Sequence, residues 1–191
     1  MGKKTKVKVN LKKLHEWIKA LDRKTSIKIG IIGKKAKEIH KGTTLTNAEL
    51  GAVHEFGATI TVTEKMRAYL HSIGIHLKPD TLSIVIPARA FLRKPIFDGE
   101  KEIKNVITDR LGTKFRAADL NKEFANELVD ETIHLVAETA LLQILTAFDE
   151  NKLIPPTSEM SKSMREYSPD NPTLIDSGEL FKSISYEIID S

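Results

Sequence analysis

Apolar residues recur along this chain at two spacings, and each change of spacing marks a new element. Leu11, Leu14, Trp17, Ile18 and Leu21 fall three or four apart, one face of an amphipathic helix from about 11 to 23, with Asn10 placed to cap it. Residues 26–33 alternate and then turn fully apolar between glycines, which predicts a strand. After a turn at 42–46, Thr46 or Asn47 opens a second helix. Glu49 stands where a capping box from Thr46 requires it, and Gly57 takes the C′ position after Phe56. Ile60 and Val62 alternate with threonines over 59–63, a second strand. A short helix follows over 64–75, stopping at Gly74, and 82–86 form a third strand closed by Pro87.

Helical spacing returns from Phe91 to about Leu111, with Pro95 in the first turn, and 112–119 read as a break. The stretch from about 121 to 149 predicts one long helix. Apolar residues on more than one of its faces after 133 imply burial on two sides or against another copy. Four prolines and many polar residues make 151–179 a long loop, and Ile184, Tyr186 and Ile188 alternate in a last strand. The expected fold class is α+β: a small, mostly antiparallel sheet of about four strands packed with helices. The length of 191 residues fits one domain over 1–191, with a basic arm at 1–10 and the Pro-rich loop at 151–179.

Charge changes this picture more than composition does. The net charge is only +4, yet residues 1–100 hold 20 Lys and Arg against 9 Asp and Glu, while 101–191 hold 10 against 17. Such a split suits a basic face for nucleic acid, or two opposite faces that meet head to tail in a ring; dispersal over solvated surface is the plain alternative. There is no cysteine, so disulfides, thiolate zinc sites and a cysteine nucleophile are excluded. No apolar run approaches the roughly 20 residues that span a bilayer, and the basic start lacks the apolar stretch of a signal peptide. The expectation is a soluble protein made in the cytoplasm, with no membrane partner.

Candidate chemistry is sparse. Glu131 and His134, three apart on the long helix with Glu127 and Glu138 nearby, match half of a carboxylate-bridged di-iron pattern, but no second Glu-x-x-His exists. A solvated helix stripe is the simpler reading. His54-Glu55 lacks the second histidine of a zinc-protease motif, and neither a phosphate-binding glycine loop nor a serine-nucleophile elbow is present. The expectation is therefore no enzyme, no metal and no cofactor. Lys3, Lys4, Lys6 and Lys8 are candidates for phosphate contact, without the interleaved aromatics that stack on bases.

Three segments in order resemble the tail-completion and virion-morphogenesis proteins of tailed bacteriophages. Residues 47–57 are similar to that family's helix ending in His-Glu-Phe-Gly, here His54, Glu55, Phe56 and Gly57. Residues 86–93, with Pro87, Arg89, Phe91, Leu92 and Arg93, resemble its Ile-Pro-x-Arg-Pro-Phe-Leu-Arg, except that Ala90 stands in place of the second proline. Residues 172–186, with Asp176, Gly178 and Leu180, are similar to its ending Leu-x-Asp-Thr or Ser-Gly-x-Leu followed by Ser-Ile. The likeness runs from about 26 to 189. It implies a non-catalytic subunit of the virion neck, assembled in the host cytoplasm into a ring, usually a hexamer, that joins the tail tube protein to a head-side connector. DNA in the channel would be a passive contact. On this reading the motif residues are interface anchors as well as core, Glu55 and His54 bond backbone of a neighbouring element, and 151–179 is the docking loop. The alternative is a nucleic-acid-binding accessory protein acting through its lysine arm.

Overall fold

A computed structural model describes residues 11–117, 122–158 and 172–190. In chain order the elements are α1 (Leu11–Leu21), β1 (Thr25–Ile31), α2 (Gly33–Ala36), α3 (Asn47–Phe56), β2 (Ala58–Thr61), α4 (Glu64–Ser72), β3 (Ser83–Ile86), α5 (Arg93–Asp98), α6 (Glu100–Ala117), α7 (Lys122–Asp149), α8 (Glu179–Lys182) and β4 (Ile184–Asp190). The fold is α+β, as the spacing predicts. Among the described residues the four strands, however, form two pairs, β1 with β4 and β2 with β3, and not one sheet. Alternation marks a strand but does not name its neighbour. The β2–β3 pair is antiparallel, with Ala58 opposite Ile86 and Thr61 opposite Ser83.

Two helix boundaries differ from the sequence reading. The helical stretch beginning near Phe91 is divided at Gly99 into α5 and α6, and α6 runs through Gly112 to Ala117 where a break was expected. A single interior glycine costs a helix only about 1 kcal/mol, which the surrounding helix formers offset. The long helix matches its expected span.

The chain divides into two compact units, one of residues 1–29, 96–143 and 186–191, the other of 30–95 and 144–185. The first is centred on Trp17, Ala20, Ala125 and Leu128, with Leu111 and Phe124 packed against them. Arg23 ties its surface together, donating to Asp130 at 2.5 Å and to both carboxylate oxygens of Asp190 at 2.8 Å. The second is built on stacked aromatics: the Phe148 ring meets Phe91 edge-on at 5.4 Å and Phe181 at 5.6 Å. Gly51 on α3 sits where a β-carbon would run into the Ile31 side chain, so its bare backbone lets the helix close on that core. Of the apolar residues on a second face of α7, Leu135 and Leu142 remain exposed. Among the described residues no helix is long and apolar enough to cross a membrane.

Candidate functional site

The second unit gathers the three sequence motifs at one place, starting from the end of α3. That helix begins with the expected capping box: Thr46 Oγ1 accepts from the Glu49 amide, and the Glu49 carboxylate accepts from the Thr46 amide at 2.8 Å. Its last turn leaves carbonyl groups without intrahelical partners. The backbone of the second motif supplies the missing donors, Arg89 N to His54 O at 2.8 Å and Ala90 N to Glu55 O at 3.2 Å.

Glu55 completes the join. It is 4% exposed, and its carboxylate accepts from the amides of Leu92 at 2.8 Å and Arg93 at 3.3 Å. The Arg93 guanidinium lies 3.5 Å from the same carboxylate and 5.0 Å above the ring of Phe56, which is 66% exposed. Gly57 then turns the chain into β2 with φ 78° and ψ 167°. A β-carbon there would lie 2.9 Å from both Ala88 N and Ile86 O, so only glycine lets the strand pair start so close to the helix end. Phe91 is fully buried, Leu92 half-buried and Pro87 exposed.

Ala90 adopts φ 46°, a value closed to proline, whose ring holds φ near −65°. Proline would also lack the N–H that Ala90 gives to Glu55 O. The turn at Ala90 therefore has a shape that proline could not take, and hydrogen bonds from Arg89 N and Ala90 N anchor it to the end of α3.

Arg89 is a second buried charge in the unit. It is 8% exposed, with Nε donating to Pro155 O at 3.0 Å and one terminal nitrogen 3.4 Å from His54 Nδ1. Burial lowers its pKa. Burial, then the charge of Arg89, then His40, push the pKa of His54 down to about 4, so the ring is neutral at pH 7 with its Nδ1 lone pair toward the arginine. His54, Arg89 and Pro87 line a cleft of about 590 Å³ with Ile84, Val85 and Ile86 of β3.

The third motif closes the other side of this cleft. Asp176, Gly178, Glu179 and Leu180 all line it. The Glu179 amide is capped by Ser177 Oγ at 3.2 Å; Gly178, at φ 77°, turns the chain into α8, and Leu180 is buried. The Glu179 carboxylate accepts from the Lys41 amide at 3.1 Å and lies 3.5 Å from His40 Nδ1. His40 Nδ1 in turn stands 2.7 Å from Asn47 Oδ1, and Asn47 Nδ2 donates to Lys35 O at 3.0 Å. With its amide oriented this way, Asn47 accepts through oxygen, so Nδ1 carries the His40 proton. The sequence placed Asn47 only at a helix start and did not single out His40, since only the fold brings Glu179 to them.

The other sequence candidates lie elsewhere. Glu131 pairs with Arg110, and the His134 ring packs edge-on against Tyr186 at 6.4 Å, both within the first unit. Among the described residues no three His, Asp or Glu side chains are grouped to hold a metal. Lys3, Lys4, Lys6 and Lys8 lie outside the described residues, as do residues 159–171 of the Pro-rich loop. The proximal ends of that loop are held: Asn151 Oδ1 accepts from the Thr173 amide at 2.8 Å, and Pro155 O accepts from Arg89. No known protein family, curated protein or solved structure matches the chain.

Proposed function

We propose that this protein is a structural subunit of a tailed phage, a tail-completion or neck protein forming a ring at the head–tail junction. The observation that carries the reading is the interlocking of the three motifs that resemble that family. Glu55 accepts from two backbone amides, Arg89 Nε donates to the Pro155 carbonyl and Ser177 caps the return to β4, so these polar groups hold a framework. What the framework displays outward is adhesive: Phe56 under Arg93, Val85 on β3 and Leu82 just before it are all exposed. Exposed aromatic and arginine pairs are frequent anchors of protein interfaces. In this role the subunit meets copies of itself, most simply as a hexamer, with the tail tube protein below and a head-side connector above.

Two measurements test it together. Native mass spectrometry of the purified protein, alone and with isolated tails, should give a closed oligomer that caps the tail end. A chain that stays monomeric at every concentration and leaves tails bare would overturn the reading. Gain of DNA binding with a steep salt dependence that disappears when residues 3–8 are deleted would favour the nucleic-acid alternative.

A further inference from the structure

Among the described residues, the cation in the cleft beside β3 has no counter-charge. Arg89 is nine-tenths buried, and its bonds go to a carbonyl oxygen and a neutral imidazole. Among the described residues no carboxylate pairs with it. A guanidinium has five N–H donors in a planar fork, and Nε and one terminal N–H account for only part of them. Taking such a charge out of water without an anion is strongly unfavourable. An arginine held this way by its neighbours is preorganised for a carboxylate arriving from outside.

The walls indicate what carries that carboxylate. β3 pairs with β2 along one edge and has no strand on its other edge among the described residues. Ile84, Val85 and Ile86 line the cleft, whereas no β2 residue does. An open strand edge offers alternating N–H and C=O groups to an extended chain, with side-chain pockets at every second position. Leu50, Leu174 and Leu180 add apolar lining suited to such side chains. Among the described residues, the charged groups on the cleft are Arg89, Asp176 and Glu179, with His40 and His54. Glu179 is already engaged by the Lys41 amide and lies beside His40. Asp176 is exposed and repels further anions, so the cleft suits one carboxylate and not an acidic run.

We propose that this cleft is a receptor for an extended segment of a partner protein that lies along β3 and places a single Asp or Glu carboxylate on Arg89. This goes beyond the neck assignment and does not depend on it: the cleft would take such a segment whatever assembly the chain joins.

The test uses the full chain and two dye-labelled, end-blocked hexapeptides, VTEVTV and VTQVTV, followed by fluorescence anisotropy at 0.15 M salt. The Glu peptide should bind about tenfold or more tightly than the Gln peptide, the worth of one charge-assisted contact at a desolvated site. The Arg89 Nε–H resonance should shift only with the Glu peptide. Arg89→Gln should erase the preference. Because that change also removes the bond to Pro155 O, Asp176→Asn provides an independent arm: it should tighten the Glu peptide and leave the Gln peptide alone. Equal affinity for the two peptides, or an unchanged ratio in Asp176→Asn, refutes the proposal. Glutarate displacing the peptide at equal concentration would make this a small-anion site and also refute it. So would a shift of the Arg89 resonance, without peptide, in the variant E159Q/E166Q/D170N, because the anion would then be the chain's own.

Discussion

Replacing Glu55 tests the join between the first two motifs most directly. Its carboxylate is buried and satisfies two backbone donors, the closer at 2.8 Å and the longer at 3.3 Å. A hydrogen bond to a charged group contributes about 1.5–3 kcal/mol, and an orphaned buried donor costs about 1–3 kcal/mol. The Leu92 amide belongs at the upper end and the Arg93 amide at the lower, so Glu55→Ala should destabilise the fold by about 3–4 kcal/mol. The Arg93 ion pair adds little: that side chain is 57% exposed and the pair is 3.5 Å long, so water and salt screen it. Glu55→Gln keeps one acceptor oxygen but turns an NH₂ group toward an amide N–H, and should cost about 2 kcal/mol. Urea unfolding at pH 7 gives both values from the midpoint, with an unchanged slope. A loss below about 1 kcal/mol for the alanine variant would mean that water replaces the carboxylate, and that the clasp does not hold the loop.

Three further outcomes follow from the same region. His54 titrates near 4 when folded and near 6.5 when unfolded, so the unfolded chain binds the proton first; stability is full above about pH 6.5 and falls as pH drops toward 4. Between pH 7.5 and 4.5 this group should account for about 2.5 kcal/mol, seen as the part of the pH dependence of unfolding that His54→Gln removes; an identical profile in that variant would refute it. At Ala90, with φ 46°, glycine should stabilise by about 0.5–1 kcal/mol and proline should destabilise severely, a ranking thermal unfolding can read; a stabilising proline would show that the turn has another shape. Gly57→Ala should cost about 3 kcal/mol or more, because the added methyl meets backbone at 2.9 Å, and a neutral result in the same assay would contradict the close approach of α3 to the β2–β3 pair.

The longer helices and the strands were legible because their periods match their geometry, while the four-residue α2 is too short to show one; the capping box at Thr46 and Glu49 narrowed the start of α3 to Thr46 or Asn47, and Thr46 is the cap. Strand partners were not, since pairing depends on chain path and not on alternation. Gly112 misled because a glycine interrupts a helix only when its neighbours are also poor formers. Motif order pointed to Glu55 and Arg89; of His54 and Glu55, both expected to bond backbone of a neighbouring element, Glu55 does so at Leu92 and Arg93, whereas the His54 ring faces the Arg89 guanidinium. The charge relation of Arg89 was hidden, because isolation of a cation is a property of everything around it. The His40, Asn47 and Glu179 chain was hidden for the same reason, since its contact from His40 to Glu179 joins residues far apart in the sequence.

The Glu55 clasp also constrains the order in which this unit folds. Its bond to the Leu92 amide spans 37 residues, and closing a flexible loop of that length costs about 3 kcal/mol of chain entropy. Once Ala58 pairs with Ile86, nearly all of that loop is already closed. Thr63 capping α4 and Arg67 donating to Lys78 O and Thr81 O shorten the connection before the strands meet. Loop entropy therefore predicts that the β2–β3 pair forms before the clasp, with Arg89 buried only after the strand beside it is in place. Mutations at Glu55 should speed unfolding and leave the folding rate nearly unchanged.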